Sequence, residues 1–163
     1  MTYEIEIRHL FISGGHRFVG RHGKIPQEFE MAEKEKIECV GGKGIVGDRF
    51  FDYKEDYKGQ LTLFSEEVYL DLIERFNVKD RGPSVFRRNV VLAGVELNSL
   101  IGQEFRLGDV DMKGTEEATP CYWMNQAFCE GANEALRGRG GLRVRILSDG
   151  ELSQGGHTLV VRD

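Results

Sequence analysis

The chain lacks any apolar stretch approaching the roughly 18 residues that mark a membrane-spanning helix. Its first residues, Met1-Thr2-Tyr3-Glu4-Ile5-Glu6, have neither the basic segment nor the apolar core of a signal peptide. A cytoplasmic protein with no membrane span is the expectation. Cysteine is scarce: Cys39, Cys121 and Cys129 are an odd set with no CxxC spacing. That argues against a disulfide framework and a structural zinc site, and it fits a reducing compartment. Basic charge is not in excess either. A net charge of −5 disfavours general nucleic-acid binding, which needs a broad basic surface, but it leaves room for a local anion site. There is no Gly-x-Ser-x-Gly elbow, so a serine hydrolase is not expected. No repeat and no low-complexity linker divides the 163 residues, and a single domain over residues 1–163 follows.

Glycine is what the chain has in abundance, with 21 residues against a usual frequency of about 7%. Between the glycine turns lie short segments of alternating polarity. Tyr3, Ile5 and Ile7 share one parity and Glu4, Glu6 and Arg8 the other, the period of a half-buried strand. Further strands are predicted at 36–40, 61–64, 89–92, 104–107, 110–113, 142–146 and 159–161. Residues 13–36 read as a long loop broken by Gly14, Gly15, Gly20, Gly23 and Pro26. Two helices are predicted. One follows the N-cap Ser65 and ends near Asn77, with Val68, Leu72, Ile73 and Phe76 on one face. The other covers 124–136, weakened by roughly 1 kcal/mol at Gly131. The fold class is mostly β with a few helices (α+β), arranged as a barrel-like sheet.

Cys121 is the most informative residue. It sits in Thr119-Pro120-Cys121-Tyr122-Trp123-Met124-Asn125, where the proline biases Thr119 toward extended backbone and a following helix start would favour a thiolate. Such a thiol is a nucleophile or a metal ligand; the alternative is a small packing residue. Residues 41–49 hold four glycines before Asp48 and Arg49, either an anion-binding concavity or a turn locked by charge. It is not a P-loop, because no Gly-Lys-Ser or Gly-Lys-Thr ends it, nor a Rossmann fingerprint, because no βαβ pattern surrounds it. Arg87-Arg88-Asn89 places two guanidiniums before an apolar strand, to grip a phosphate or to form a solvated edge. Arg137, Arg139, Arg143 and Arg145 form a second basic cluster. His16, His22 and His157 lack the spacing of a helical zinc site. The polar run 53–59 reads as a solvated loop.

Taken in order, Phe11-Ile12-Ser13-Gly14-Gly15-His16, residues 41–50, Gly59-Gln60-Leu61-Thr62-Leu63, Arg88-Asn89-Val90-Val91, Leu100-Ile101-Gly102-Gln103-Glu104-Phe105, Pro120-Cys121 and Arg139-Gly140-Gly141-Leu142-Arg143 resemble the MOSC family. The family is named after the C-terminal domain of molybdenum cofactor sulfurases, and the chain looks like a small stand-alone member. The resemblance implies a MOSC-type β-barrel. It also implies that Cys121 either carries sulfur as a persulfide or ligates the molybdenum of the molybdenum cofactor (molybdopterin). Gly47, Asp48, Arg49, Arg88 and Asn89 would then hold the cofactor's phosphate and pterin, and at family level there is an association with pyridoxal phosphate. A histidine that often follows the Asp-Arg pair in the family is Phe50 here. No aminotransferase-like or ferredoxin-like domain accompanies the sequence, so a partner is expected: a sulfur donor such as a cysteine desulfurase, or an electron-transfer protein. A molybdenum-dependent reductase of N-hydroxylated compounds and a non-catalytic binding barrel are the alternatives.

Overall fold

A computed structural model of the chain describes residues 1–14 and 31–163. The strands are β1 (Thr2–Ile12), β2 (Ala32–Lys34), β3 (Lys36–Val40), β4 (Gly44–Ile45), β5 (Leu61–Ser65), β6 (Val90–Ala93), β7 (Glu104–Leu107), β8 (Val110–Glu117), β9 (Leu142–Ile146), β10 (Gly150–Ser153) and β11 (Gly155–Val161). The helices are α1 (Glu66–Phe76), α2 (Trp123–Ala127) and α3 (Ala132–Ala135), with 3-10 turns at Pro83–Phe86 and Leu97–Leu100.

Seven strands close into a barrel in the order β11-β7-β8-β9-β5-β6-β1, with β1 pairing back onto β11. All neighbours in the ring are antiparallel except β5 and β6, which are parallel and joined through α1. Alternation drives the closure. Ile5 and Ile7 of β1 are buried while Glu4 and Arg8 are exposed, and on β9 Leu142, Val144 and Ile146 point inward between Arg143 and Arg145. A register shift between Ile7 and His9 breaks this period, so that Leu10 joins Ile5 and Ile7 in the barrel core, while Phe11 is buried on the other face. β5 and β6 are buried almost throughout because their two faces serve different cores. Leu61, Leu63, Val90 and Leu92 fill the barrel. Phe64 and Val91 face an outer layer with Leu72, Phe86, Met124, Phe128 and Leu136. A three-stranded sheet, β10-β3-β4, adds Ile37, Cys39, Ile45 and Leu152 to the barrel core.

The structure corrects several expectations. The second helix is broken at Phe128–Gly131: α2 stops at Ala127, and Gly131, with φ +93° and its Cα against the Phe76 ring, precedes α3 in a conformation that a continuous helix does not allow. Residues 32–34 form β2 on the edge of β1 within what reads as loop; the rest of that loop, with His16 and His22, lies outside the described residues. β8 runs four residues past 113, and β10 follows the turn at Ser148-Asp149. Among the described residues no helix is long and apolar enough to cross a membrane.

Candidate functional site

β8 ends at Glu117, and residues 118–121 leave the sheet as a strap that crosses the start of β9. The strap lies close because Gly140 has no side chain, and Gly141 lets the start of β9 approach β5. A Cβ on Gly140 would collide with the Ala118 carbonyl oxygen and stand 2.8 Å from Pro120 Cδ; one on Gly141, at φ +117°, would stand 2.5 Å from the Leu63 carbonyl oxygen. The Ala118 amide donates to the Gly141 carbonyl at 2.8 Å. Arg88 fastens the same junction from beneath. Its Nε donates to the Gly140 carbonyl (2.9 Å), its Nη2 to Ala118 (3.0 Å) and its Nη1 to Phe86 (3.3 Å).

Cys121 ends this strap with its side chain exposed. Its carbonyl accepts from the Met124 amide at 2.9 Å, and α2 begins only at Trp123 and runs five residues. A helix start does follow Cys121, as expected, but the helix it opens is a single short turn rather than the long one expected over 124–136. Side chains add positive charge near Cys121. Burial lowers the Arg88 pKa to about 10, Arg143 and Arg49 act in the same direction, and Cys121 and Glu117 oppose them. Arg88 stays cationic at neutral pH. Burial also lowers Arg49, opposed by Asp48 and Tyr57.

Arg49 lies partly buried, its Nη2 on the Arg87 carbonyl (3.1 Å) and its Nη1 on Met31 Sδ (3.3 Å), with the guanidinium 4.8 Å over the Phe50 ring. Arg49 thus reaches the backbone of the residue preceding Arg88. Among the described residues neither Arg49 nor Arg88 has a carboxylate within ion-pair distance, whereas Arg143 meets Glu116 at 3.4 Å and Arg145 meets Asp56 at 3.0 Å. The Arg87-Arg88 pair is not a solvated edge.

Asp48 and Asn89 are brought together, but their side chains are committed to the protein. Asn89 is buried. Its Oδ1 accepts from the Thr62 amide (3.0 Å) and hydroxyl (3.1 Å), and its Nδ2 donates to the Phe11 carbonyl (3.1 Å) and Asp48 Oδ1 (3.4 Å). That Asp48 oxygen also accepts from the Ser13 amide at 3.0 Å. The pair knots β1, β5 and the turn before Arg49. Gly47, at φ +86°, shapes that turn. The amides of Gly41, Gly42, Lys43, Val46 and Asp48 all donate within the protein. Residues 53–59 differ from a plain solvated loop: Tyr57 is buried and packs with Phe50 (5.4 Å) and Tyr53 (5.0 Å). His157 Nε2 bonds the Ser153 carbonyl at 2.7 Å, and no group of three metal-ligating side chains forms among the described residues.

The other two thiols are shielded. Cys39 is fully buried, its pKa pushed up to about 12 by that burial and by Glu38; Cys129 is half-buried and raised by burial and by Glu130. Sequence reasoning missed Gly140, Gly141 and the Ala118 carbonyl as parts of the site. The glycine pair before a strand was the available signal.

Comparison with known proteins agrees with this architecture. The family model described as MOSC domain matches residues 42–157, which include Asp48, Arg49, Arg88, Asn89 and Cys121. Similar solved structures include the YUAD protein from Bacillus subtilis, at TM-score 0.76 and 16% identity over 100% of this chain and 98% of that one. YiiM from Geobacillus stearothermophilus is similar at TM-score 0.69 and 15% identity, over 98% of this chain and 75% of that one. YiiM from Escherichia coli is similar at TM-score 0.63 and 18% identity, over 100% and 70%. No curated protein matches by sequence.

Proposed function

The chain belongs to the MOSC domain family, and on that premise we propose that it is a sulfur carrier whose Cys121 is loaded as a persulfide. The supporting observation is the exposed thiol of Cys121 on a pinned strap beside Arg88, while Cys39 and Cys129 are shielded. The chemistry balances without an added oxidant. The Cys121 thiolate attacks the outer sulfur of a donor persulfide, such as that on a cysteine desulfurase. A new S–S bond forms, the donor's S–S bond breaks, and the donor leaves as a thiolate. In delivery an acceptor attacks the outer sulfur and Cys121 leaves as the thiolate. The free cysteines suit the reducing interior of a cytoplasm.

A second reading, binding of the molybdenum cofactor, is favoured by Arg49 and Arg88, two guanidiniums without ion-paired carboxylates among the described residues. The donor set fits in part. Cys121 offers a soft thiolate to the metal, and Arg49 and Arg88 offer charge to a phosphate. Asp48 and Asn89 fit only as supports for that wall, since their polar atoms are already used. When bound, the cofactor supplies electron transfer at its metal, and a reductase of N-hydroxylated compounds would also need an external electron donor.

The test is mass spectrometry with metal analysis on protein purified without reductant from a host that makes molybdenum cofactor. The expected result is an adduct of one sulfur atom on Cys121, absent from Cys121→Ser. Stoichiometric molybdenum without that adduct favours the second reading. Neither signal would leave a non-catalytic barrel.

A further inference from the structure

Arg88 makes an unusual set of contacts for a partly buried guanidinium. All three of its nitrogens donate to carbonyl oxygens, those of Phe86, Ala118 and Gly140, and none meets a carboxylate among the described residues. A carbonyl satisfies a donor without cancelling the charge; the carboxylate of Glu117, which accepts from the Gly140 amide at 3.4 Å, acts on Arg88 without pairing with it. Two of these acceptors flank the strap: Ala118 opens it, and Gly140 is the floor on which Pro120 rests. Cys121 is three residues from one anchor and one residue from the other's contact.

We propose that Arg88 is a specificity-determining residue of the Cys121 site: by pinning the 118–121 strap to Gly140 it keeps the thiol close to a guanidinium that no ion-paired carboxylate neutralises, so Cys121 engages anionic partners in preference to neutral ones. This deepens the reading of Cys121 as the reactive residue and rests on it. The anionic class includes persulfide anions and small sulfur oxyanions. Cys121 is among the groups whose charge acts on Arg88, as this arrangement requires.

The test compares alkylation of native protein by iodoacetate, an anion, and iodoacetamide, its neutral counterpart, at low salt, with each cysteine followed by peptide mass. Both reagents consume the same thiolate, so their rate ratio reports the field at the sulfur and not its degree of ionisation. Cys129, beside Glu130, is the comparator within the same sample. The iodoacetate to iodoacetamide ratio is expected to be roughly threefold to tenfold higher at Cys121 than at Cys129, and to fall as salt is added. Arg88→Gln should bring it down to the Cys129 value, and Arg88→Lys, which restores charge without the fork, should recover most of it. Gly140→Ala should lower it with Arg88 intact, because the added methyl displaces the strap. An unchanged ratio in folded Arg88→Gln overturns the proposal. If that variant does not fold, an unchanged ratio in Gly140→Ala overturns it; if neither folds, Arg88 and Gly140 only fasten the barrel and the proposal is likewise wrong. The ratio needs neither sulfur donor nor cofactor, so failure of sulfur carriage would leave it intact.

Discussion

Three thiols in one chain meet three different surroundings. Cys121 stands in solvent at the end of the strap, Cys129 is half-buried in the break between α2 and α3, and Cys39 points from β3 into the core. Limiting iodoacetamide on native protein is expected to label Cys121 first and Cys129 more slowly, leaving Cys39 unmodified until denaturant is added. Peptide mass after quenching reads the order, and early labelling of Cys39 would contradict its burial. Asn89 offers a second test. Truncation to alanine leaves the Phe11 carbonyl and the Thr62 amide without their partner inside the protein. Asn89→Ala is therefore expected to cost about 2–4 kcal/mol, read as a lower urea midpoint. A loss below about 1 kcal/mol would mean that these groups find other partners.

At the scale of the element, α1 is the part most legible in the sequence. Ser65 caps it, its Oγ accepting from the Val68 amide at 3.2 Å, and Asn77 closes it in the left-handed conformation. Ser65→Ala should destabilise by about 1 kcal/mol, measured by thermal melting, with the strand signal in circular dichroism unchanged. The strands that alternate were legible for the same reason: one face of β1, β7 and β9 is apolar and the other is not. β2 was not, because all three of its residues are exposed and its pairing follows from the path of β1. The split of 124–136 escaped because apolar spacing continues across Phe128, while the Phe76 ring of α1, which leaves room for no more than glycine at 131, is distant in sequence. The site divides similarly. Cys121, Arg49 and Arg88 have side-chain chemistry that a sequence displays. The strap's acceptors are backbone carbonyls, which every residue has, so their role emerges only from the fold.

For the whole molecule, the buried Cys39 links stability to alkaline pH. Its folded pKa is raised from 9.0 to about 12, so the unfolded chain releases this proton first. The contribution is fully present below about pH 9 and is lost as pH rises from there toward 12. Cys39→Ala should cost stability at pH 7 by leaving a cavity, yet show a flatter decline between pH 9 and pH 11 than the parent protein. Equal slopes in urea titrations at those pH values would count against the linkage.

The pairing of β1 with β11 has a consequence in time. Thr2 faces Val160 and Ile7 faces Gly155, so the contact that shuts the ring joins residues from opposite ends of the sequence. Bringing such distant segments together has the largest loop-closure entropy cost of any pairing in the barrel, and it returns little until the intervening strands are in place. The seam should therefore form late, after the β7, β8 and β9 neighbours have paired. Ile5, buried on β1 and paired with His157 of β11, reads this directly. Ile5→Ala is expected to accelerate unfolding while leaving the refolding rate nearly unchanged, the signature of a contact absent from the transition state.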